Sequence, residues 1–276
     1  MTLKSILITG CSSGIGYDCA KTLNKRGWRV FATCRKEEDC MRLRAEGLES
    51  FIIDYQDEET IRTGIEQCLS LTGGTLDAVF NNGAYAIPGA LEDLPTDGLK
   101  EIFQTNFFGY HELIKLTIPI MRKQGYGRII NCSSILGFIA LQFRGAYTST
   151  KFALEGFSDT LRVELRDSGI KVILIQPGPI TSKIRENSVF HFEKWINWRK
   201  SERATQYENE LIPRMYLSNG PDKFELPPSA VTKKLIMALE SRTPKPRYLI
   251  TTPTYSMYFL KKLLPTKYLD WIISKI

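Results

Sequence analysis

A chain of 276 residues fits one large α/β domain or two small ones, and 43% hydrophobic with 24% charged residues excludes global disorder. The formal charge of +7 is unevenly placed: residues 241–276 hold seven Lys and Arg against one Asp, a net +6, so the rest carries about +1. No nucleic-acid reading motif accompanies these charges, which argues against such a partner and for a membrane surface or an acidic partner at the tail.

The residue types narrow the chemistry further. Six cysteines occur without a C-x-x-C pair, and two histidines are too few for a zinc set, so free thiols in a reducing compartment and no metal are expected. The opening "MTLKSILITG" is too short an apolar run for a signal peptide, and no run approaches the ~20 apolar residues that span a bilayer. A cytoplasmic protein is expected, with peripheral membrane contact as the one exception.

In chain order, apolar β-branched runs predict strands at "KSILIT", "WRVFATC", "ESFIID", "LDAVFNN", "GRIINCSS" and "IKVILIQPG". Helical patterns lie between them, over 14–26, 37–46, 57–71, 98–123 and 147–168. Strands apolar on both faces that alternate with helices predict a doubly wound parallel sheet of about seven strands in one domain, residues 1–276. Residues 183–219 break this rhythm; they are polar and aromatic-rich, and they predict a helical insertion with no strand. A helix is expected after "PPSA", a last strand at "PRYLITT", and a basic amphipathic extension over 253–276.

"LITGCSSGIG" joins the first strand to the first helix, with glycines at 10, 14 and 16. Such a turn lets a phosphate approach bare backbone N–H groups at the positive end of a helix. The second strand then ends in Cys34, Arg35 and Lys36, where a fold that prefers a free ribose 2′-hydroxyl carries an acid. Two cations in place of a carboxylate predict NADP(H), with Arg35 as the main contact, Lys36 beside it and NAD(H) as the alternative.

Further motifs complete a pattern: "NNGA" at 81–84, Asn106 within "QTNFFG", "CSS" at 132–134, "YTSTK" at 147–151 and "PGPIT" at 177–181. With the glycine loop, they make residues 3–181 resemble the short-chain dehydrogenase/reductase family, nearest the branch acting on steroids, retinoids and other lipid-like alcohols and ketones. The resemblance implies a Rossmann-type fold and hydride transfer between a nicotinamide and an alcohol or carbonyl. It implies Tyr147 as general acid/base, Lys151 to lower the tyrosine pKa and hold the nicotinamide ribose, and Asn106 to position a relay water. It also selects Ser134, thirteen residues before the tyrosine, as the active-site serine. On the cofactor it implies Gly10, Ser12, Ser13, Gly14, Ile15 and Gly16 in the loop, Asp54 at the adenine, and Asn82 with Gly83 at the adenosine ribose. Pro177, Gly178, Ile180 and Thr181 would line the nicotinamide end. The family's usual Asn-Asn-Ala-Gly reads Asn81-Asn82-Gly83-Ala84 here, which leaves the roles of Gly83 and Ala84 open.

The residue types suit the reaction. A phenol with pKa ~10 is a poor base near neutrality, and an ammonium at i+4 on the same helix face would move it toward the working pH. Leu141, Phe143, Phe190 and Trp195 are expected to wall the substrate pocket, with Phe192, Trp198 and Tyr216 nearby, and the sequence predicts no buried cation that would mark a charged substrate. The alternative for these aromatics is a small satellite core. The tail, with Tyr258, Phe259, Leu263, Tyr268, Trp271 and Ile276 among lysines, would dip into a membrane interface, pack on the body or join two copies. Homodimers and homotetramers are a habit of the family. A non-catalytic NADP(H)-binding sensor would need damage to Tyr147, Lys151 or Ser134, and none is seen; a membrane-attached interaction protein driven by the basic tail, with a purely structural dinucleotide site, is the other competing function.

Overall fold

The computed structural model of the chain describes residues 4–217 and 220–275. Ser218 and Asn219 of the expected insertion and Ile276 of the expected tail lie outside the described residues. The chain alternates β1 (Ser5–Ile8), α1 (Gly14–Lys25), β2 (Arg29–Cys34), α2 (Glu37–Ala45), β3 (Glu49–Ile52), α3 (Glu58–Thr72) and β4 (Ala78–Asn81). It continues through α4 (Thr96–Phe103), α5 (Gly109–Gln124), β5 (Gly127–Cys132), α6 (Gly145–Glu164) and β6 (Ile170–Pro177). Then come α7 (Ile184–Trp195), the single turn α8 (Ala204–Gln206), α9 (Ser229–Glu240), β7 (Arg247–Ile250), α10 (Thr252–Leu263) and α11 (Thr266–Ile273).

All seven strands form one parallel sheet in the order β3-β2-β1-β4-β5-β6-β7. Side chains alternate across it. Ile6, Ile8, Val30 and Ala32 meet α1, α2 and α9 on one face through Cys19, Leu23, Cys40, Leu43, Val231 and Leu235. Leu7 and Phe31 meet α3, α5 and α6 on the other through Ile61, Ile65, Leu113, Ile114 and Leu154. Period-two strands with both faces apolar are thus buried twice, as a doubly wound sheet requires. Strand order reverses between β1 and β4, which opens a crevice at the carboxyl ends of those strands.

Two departures from the sequence reading matter for the site. The helix expected over 98–123 is two helices joined by a π-turn at Gln104–Phe108, with buried Asn106 inside the turn. The expected strand-free insertion is present as α7, α8 and two wide turns at Tyr207–Leu211 and Pro213–Leu217. A single parallel bridge, Ile180 to Leu226, ties its two ends together.

The tail packs on the body. Met257 of α10 and Leu269 of α11 are buried against Leu136, Phe138 and Ile139, and Lys261 Nζ donates to the Phe138 carbonyl at 2.5 Å. The outward face of the same helices exposes Phe259, Leu263, Tyr268 and Trp271. Among the described residues no helix is long and apolar enough to cross a membrane.

Candidate active site

The glycine loop is built against β4. Gly10 has φ +69°, and a Cβ there would sit 2.6 Å from the Gly83 Cα, so only glycine allows these two backbones to approach. A Cβ on Gly16 would run into the Gly10 carbonyl. A Cβ on Gly83, by contrast, would lie 3.4 Å from Gly10 N, close to ordinary contact. The inverted Gly83-Ala84 order is therefore harmless, because the indispensable glycine of this contact is Gly10. The Asn82 amide donates to the Thr9 carbonyl at 3.0 Å and the Gly10 carbonyl at 3.4 Å, so this side chain braces the loop.

The loop fits a dinucleotide phosphate. Ser13 is the N-cap of α1 in extended conformation, its side chain caps nothing, and the first turn holds no acid. The leading N–H groups thus stay available for an anion. Gly14, at φ +56°, faces Ser182 across a gap in which a Cβ would be 3.3 Å from the Ser182 Cβ. Ser12 and Ile15 are partly exposed on the same loop.

At the end of β2, Arg35 and Lys36 are exposed, and Arg35 has no hydrogen-bond or ion-pair partner among the described residues. Asp54 follows β3, one carboxylate oxygen accepting from the Gln56 N–H at 3.0 Å. Pro177 closes β6, and the Gly178 N–H donates to the Ile250 carbonyl at 3.1 Å. Gly178 also lies against Thr251 and Thr254, leaving no room for a side chain. Ile180 forms the bridge to Leu226, and the Thr181 hydroxyl donates to Glu225 at 2.7 Å.

Ser134 lies two residues past β5, before the short turn Ile135–Gly137, its hydroxyl oxygen accepting the Leu136 N–H at 3.1 Å. Its own proton stays free to donate to a substrate oxygen. Tyr147 and Lys151 stand one turn apart on α6, with Lys151 Nζ 5.4 Å from the Tyr147 ring centroid and donating to the Cys132 carbonyl at 2.7 Å. Tyr147 lies at a seam, touching the cluster of Phe143, Phe192 and Tyr207 on one side and that of Leu136, Ile139 and Met257 on the other.

The electrostatics correct one expectation. Burial pushes the Tyr147 phenol up, the Cys132 thiol adds to this, and the neighbouring Ser134 hydroxyl alone pulls it down. Burial in turn lowers Lys151 to about 8, against weaker pulls upward from Cys132 and Glu155. The expected lowering of Tyr147 by Lys151 is therefore absent from the protein alone. The ammonium is engaged by a backbone carbonyl and shares the phenol's dry surroundings, where dehydration outweighs attraction.

Asn106 is also more committed than expected. Its side chain accepts from Tyr85 N–H at 3.1 Å, donates to Tyr85 O at 2.9 Å and reaches Thr150 Oγ1 at 3.3 Å. This locks the β4 loop to α6, and the π-turn around it disturbs the i to i−4 ladder where backbone carbonyls can turn toward the cleft.

The sequence reading missed a buried polar chain below the site. Thr9 Oγ1 and Tyr55 OH meet at 2.8 Å, Tyr55 donates to Asn81 at 2.7 Å, Asn81 to Asn131 at 2.9 Å, and Asn131 to Ser158 at 2.9 Å. It pins the ends of β1, β4 and β5 to α6 and fixes the loop relative to Tyr147. Asn81 and Asn131 inside apolar strands were the visible signal.

The expected pocket residues separate. Leu141 and Phe143 line one groove of about 340 Å³ with Gly89 and Leu91. Trp195 lines another of about 670 Å³ with Trp198, Ile212 and Tyr216. Phe190 is 66% exposed and lines neither, so its expected place in the pocket is not borne out: it lies on the outer face of α7, whose inner face is taken by Phe192 and His191. Most of the remaining aromatics form the satellite core, with Phe192, Trp195, Trp198 and Tyr207 packed around Ile102. Among the described residues no cluster of three or more possible metal ligands occurs.

A glycine loop at the switch point, with a serine just past β5 and a tyrosine and lysine on α6, is the layout expected of a dinucleotide-dependent oxidoreductase. The chain belongs to the short-chain dehydrogenase family, whose pattern matches residues 4–191. It is 38% identical over 271 residues to an uncharacterized oxidoreductase, YbbO, of Escherichia coli strain K12, covering 98% of this chain and 94% of that one. It is 29% identical to 17-beta-hydroxysteroid dehydrogenase type 6 of Rattus norvegicus, covering 98% and 88%. A crystal structure of a short-chain dehydrogenase from Streptomyces avermitilis superposes with a TM-score of 0.77 at 26% identity, covering 99% and 94%.

Proposed function

We propose that the protein is an NADP(H)-dependent oxidoreductase that interconverts an alcohol and the carbonyl of an apolar, lipid-like substrate, with Tyr147 as the general acid/base. The observation that carries this reading is the convergence of Ser134, Tyr147 and Lys151 beside a glycine loop backed by an exposed, unpartnered Arg35. A steroid-acting relative that aligns along nearly the whole chain supports the substrate class.

The nicotinamide, when bound, gives or takes the hydride. In the direction of reduction, the Ser134 hydroxyl donates to the carbonyl oxygen and stabilises charge as it builds. Tyr147 delivers a proton to that oxygen, and a phenol raised by burial holds its proton at neutral pH and stands ready to give it. Lys151, lowered to about 8, is still mostly protonated near neutrality and recharges the phenol through ribose or water. A carbonyl of the π-turn around Asn106 would hold that water. Arg35 selects a 2′-phosphate by charge and by its planar fork. Phe259, Leu263 and Trp271 among lysines would rest on an anionic membrane surface from which apolar substrates arrive.

The direct test is NADPH oxidation against a panel of steroid, retinoid and long-chain ketones and aldehydes. Turnover of at least one, with NADPH preferred over NADH, is expected. Cofactor binding without turnover of any member would refute the catalytic reading.

A further inference from the structure

One carboxylate holds the first helix of the insertion to the body. Glu101 stands on α4, and its Oε2 accepts from Lys194 of α7. Its Oε1 is faced by three groups at once: Tyr85 OH and Trp195 Nε1, each at 3.4 Å, and His191 Nδ1 at 3.8 Å. All three stand beyond the roughly 2.7–3.2 Å of a well-made hydrogen bond. His191 is buried on the inner face of α7, and its Nδ1 has no hydrogen-bond partner among the described residues. Burial lowers its pKa against the pull of Glu101, and Arg35 and Lys194 add to the lowering, so the imidazole is neutral near pH 7. The Trp195 ring covers Gly98 of α4, where a Cβ would come within 2.9 Å of it.

Tyr85 joins this seat to the reacting end. Its ring stacks on the His191 ring, with centroids 3.8 Å apart and planes 18° from parallel. Its main chain is gripped twice by Asn106: the Tyr85 N–H donates to Oδ1 at 3.1 Å, and its carbonyl accepts from Nδ2 at 2.9 Å. One residue therefore carries α7 on its side chain and Asn106 on its backbone. Asn106 in turn reaches Thr150 at 3.3 Å, on α6 between Tyr147 and Lys151. Phe192, next to His191 on α7, belongs to the cluster that Tyr147 packs against. A displacement of α7 on Glu101 meets the Tyr85 ring first and Asn106 through it, because closely packed groups pass strain on.

We propose that Glu101, Tyr85 and His191 are positioning residues that couple the docking of α7 to the turn around Asn106, so that the site is assembled for proton delivery only when the insertion is seated. The inference rests on Asn106 and Tyr147 serving the oxidoreductase reaction.

Hydrogen–deuterium exchange of the full chain tests the coupling without turnover. His191→Leu removes the stacked ring at similar volume, and Lys194→Met removes the ammonium; both changes lie on α7 alone. Each should speed exchange over 184–195 by about 3- to 10-fold and carry a like increase to 85–87 and 104–108. Glu186→Gln, exposed on the same helix, should leave all three segments at the wild-type rate. Lys194→Arg, which keeps the pair with Glu101, should do the same. Faster exchange confined to 184–195 would show a helix with no link to Asn106 and overturn the proposal. Wild-type exchange in both variants, or equal acceleration in β2 and β3, would overturn it as well. On a ketone that the wild type reduces, the kcat of His191→Leu should fall about tenfold at unchanged NADPH Kd. A rise in KM alone would confine α7 to substrate binding and contradict the coupling. No turnover by the wild type would fail the oxidoreductase reading, and the exchange pattern would still decide the coupling. Should His191→Leu not fold, Lys194→Met, at an exposed site, carries the same test.

Discussion

The cofactor half and the substrate half of this molecule are built by different rules. From β1 to β5, backbone approaches backbone: Gly10 against Gly83, Asn82 amide on the loop carbonyls, a side-chain chain from Thr9 to Ser158. From Gly178 onward, the chain is organised by aromatic packing and long charged side chains, as in Trp195 on Gly98 and the Arg185–Asp222 pair. The first half leaves almost no choice of residue, so its chemistry is common to the family. The second rests on side-chain packing, which sets fewer backbone constraints.

A methyl group at Gly10 is the sharpest way to break this contrast. Gly10→Ala adds a Cβ 2.6 Å from the Gly83 Cα in a left-handed conformation, and should cost about 1–3 kcal/mol of stability and NADPH binding with it. Thermal melts with and without NADPH check this; an unchanged Tm shift on adding NADPH contradicts it. The equivalent change in the substrate half, Phe190→Ala at an exposed site, should leave Tm nearly unmoved.

Arg35→Ser sharpens the comparison from within the cofactor half. Losing a charge-assisted contact should raise the NADPH Kd by about 10- to 100-fold and leave the NADH Kd nearly as it was. Equal effects on both cofactors would show that Arg35 does not meet the 2′-phosphate.

Alkaline titration separates core from surface. Burial raises Cys11, Cys19, Cys68 and Cys132 above 9.0, and Cys34 to about 12. Above pH 9 the unfolded state loses these thiol protons first, so stability falls as pH rises. Lys151, lowered from 10.5 to about 8, acts in the opposite sense between those values, because there the unfolded state binds the extra proton. Five thiols outweigh one lysine, and denaturant midpoints should decline above pH 9, more steeply in Lys151→Met.

The smallest expected effect concerns the tail. Truncation would uncover Leu136 and Phe138, so the clean variant replaces exposed Phe259, Leu263 and Trp271 with serine. Flotation with anionic vesicles should weaken several-fold at unchanged Tm; equal flotation would show that the tail serves packing alone.

The cofactor half was legible in the sequence because its constraints are local. Three glycines after a strand, a cation pair after the next, and a Tyr–Lys spacing of four each state a geometry. The π-turn was not legible: "QTNFFG" continues a helical pattern, and the extra residue in the turn follows from the Asn106 lock on Tyr85, a contact 21 residues away. In the protein alone, burial raises the Tyr147 pKa, which spacing does not show. Spacing reveals which groups meet, and dehydration, which here dominates, depends on everything else that covers them.

The central claim is that Tyr147 moves the proton. Single-turnover hydride transfer from NADPH to a turned-over ketone, compared between wild type and Tyr147→Phe, tests it most directly. The rate should fall about 10²- to 10⁴-fold with the NADPH Kd unchanged. A Tyr147→Phe enzyme that transfers hydride within tenfold of the wild-type rate would contradict it.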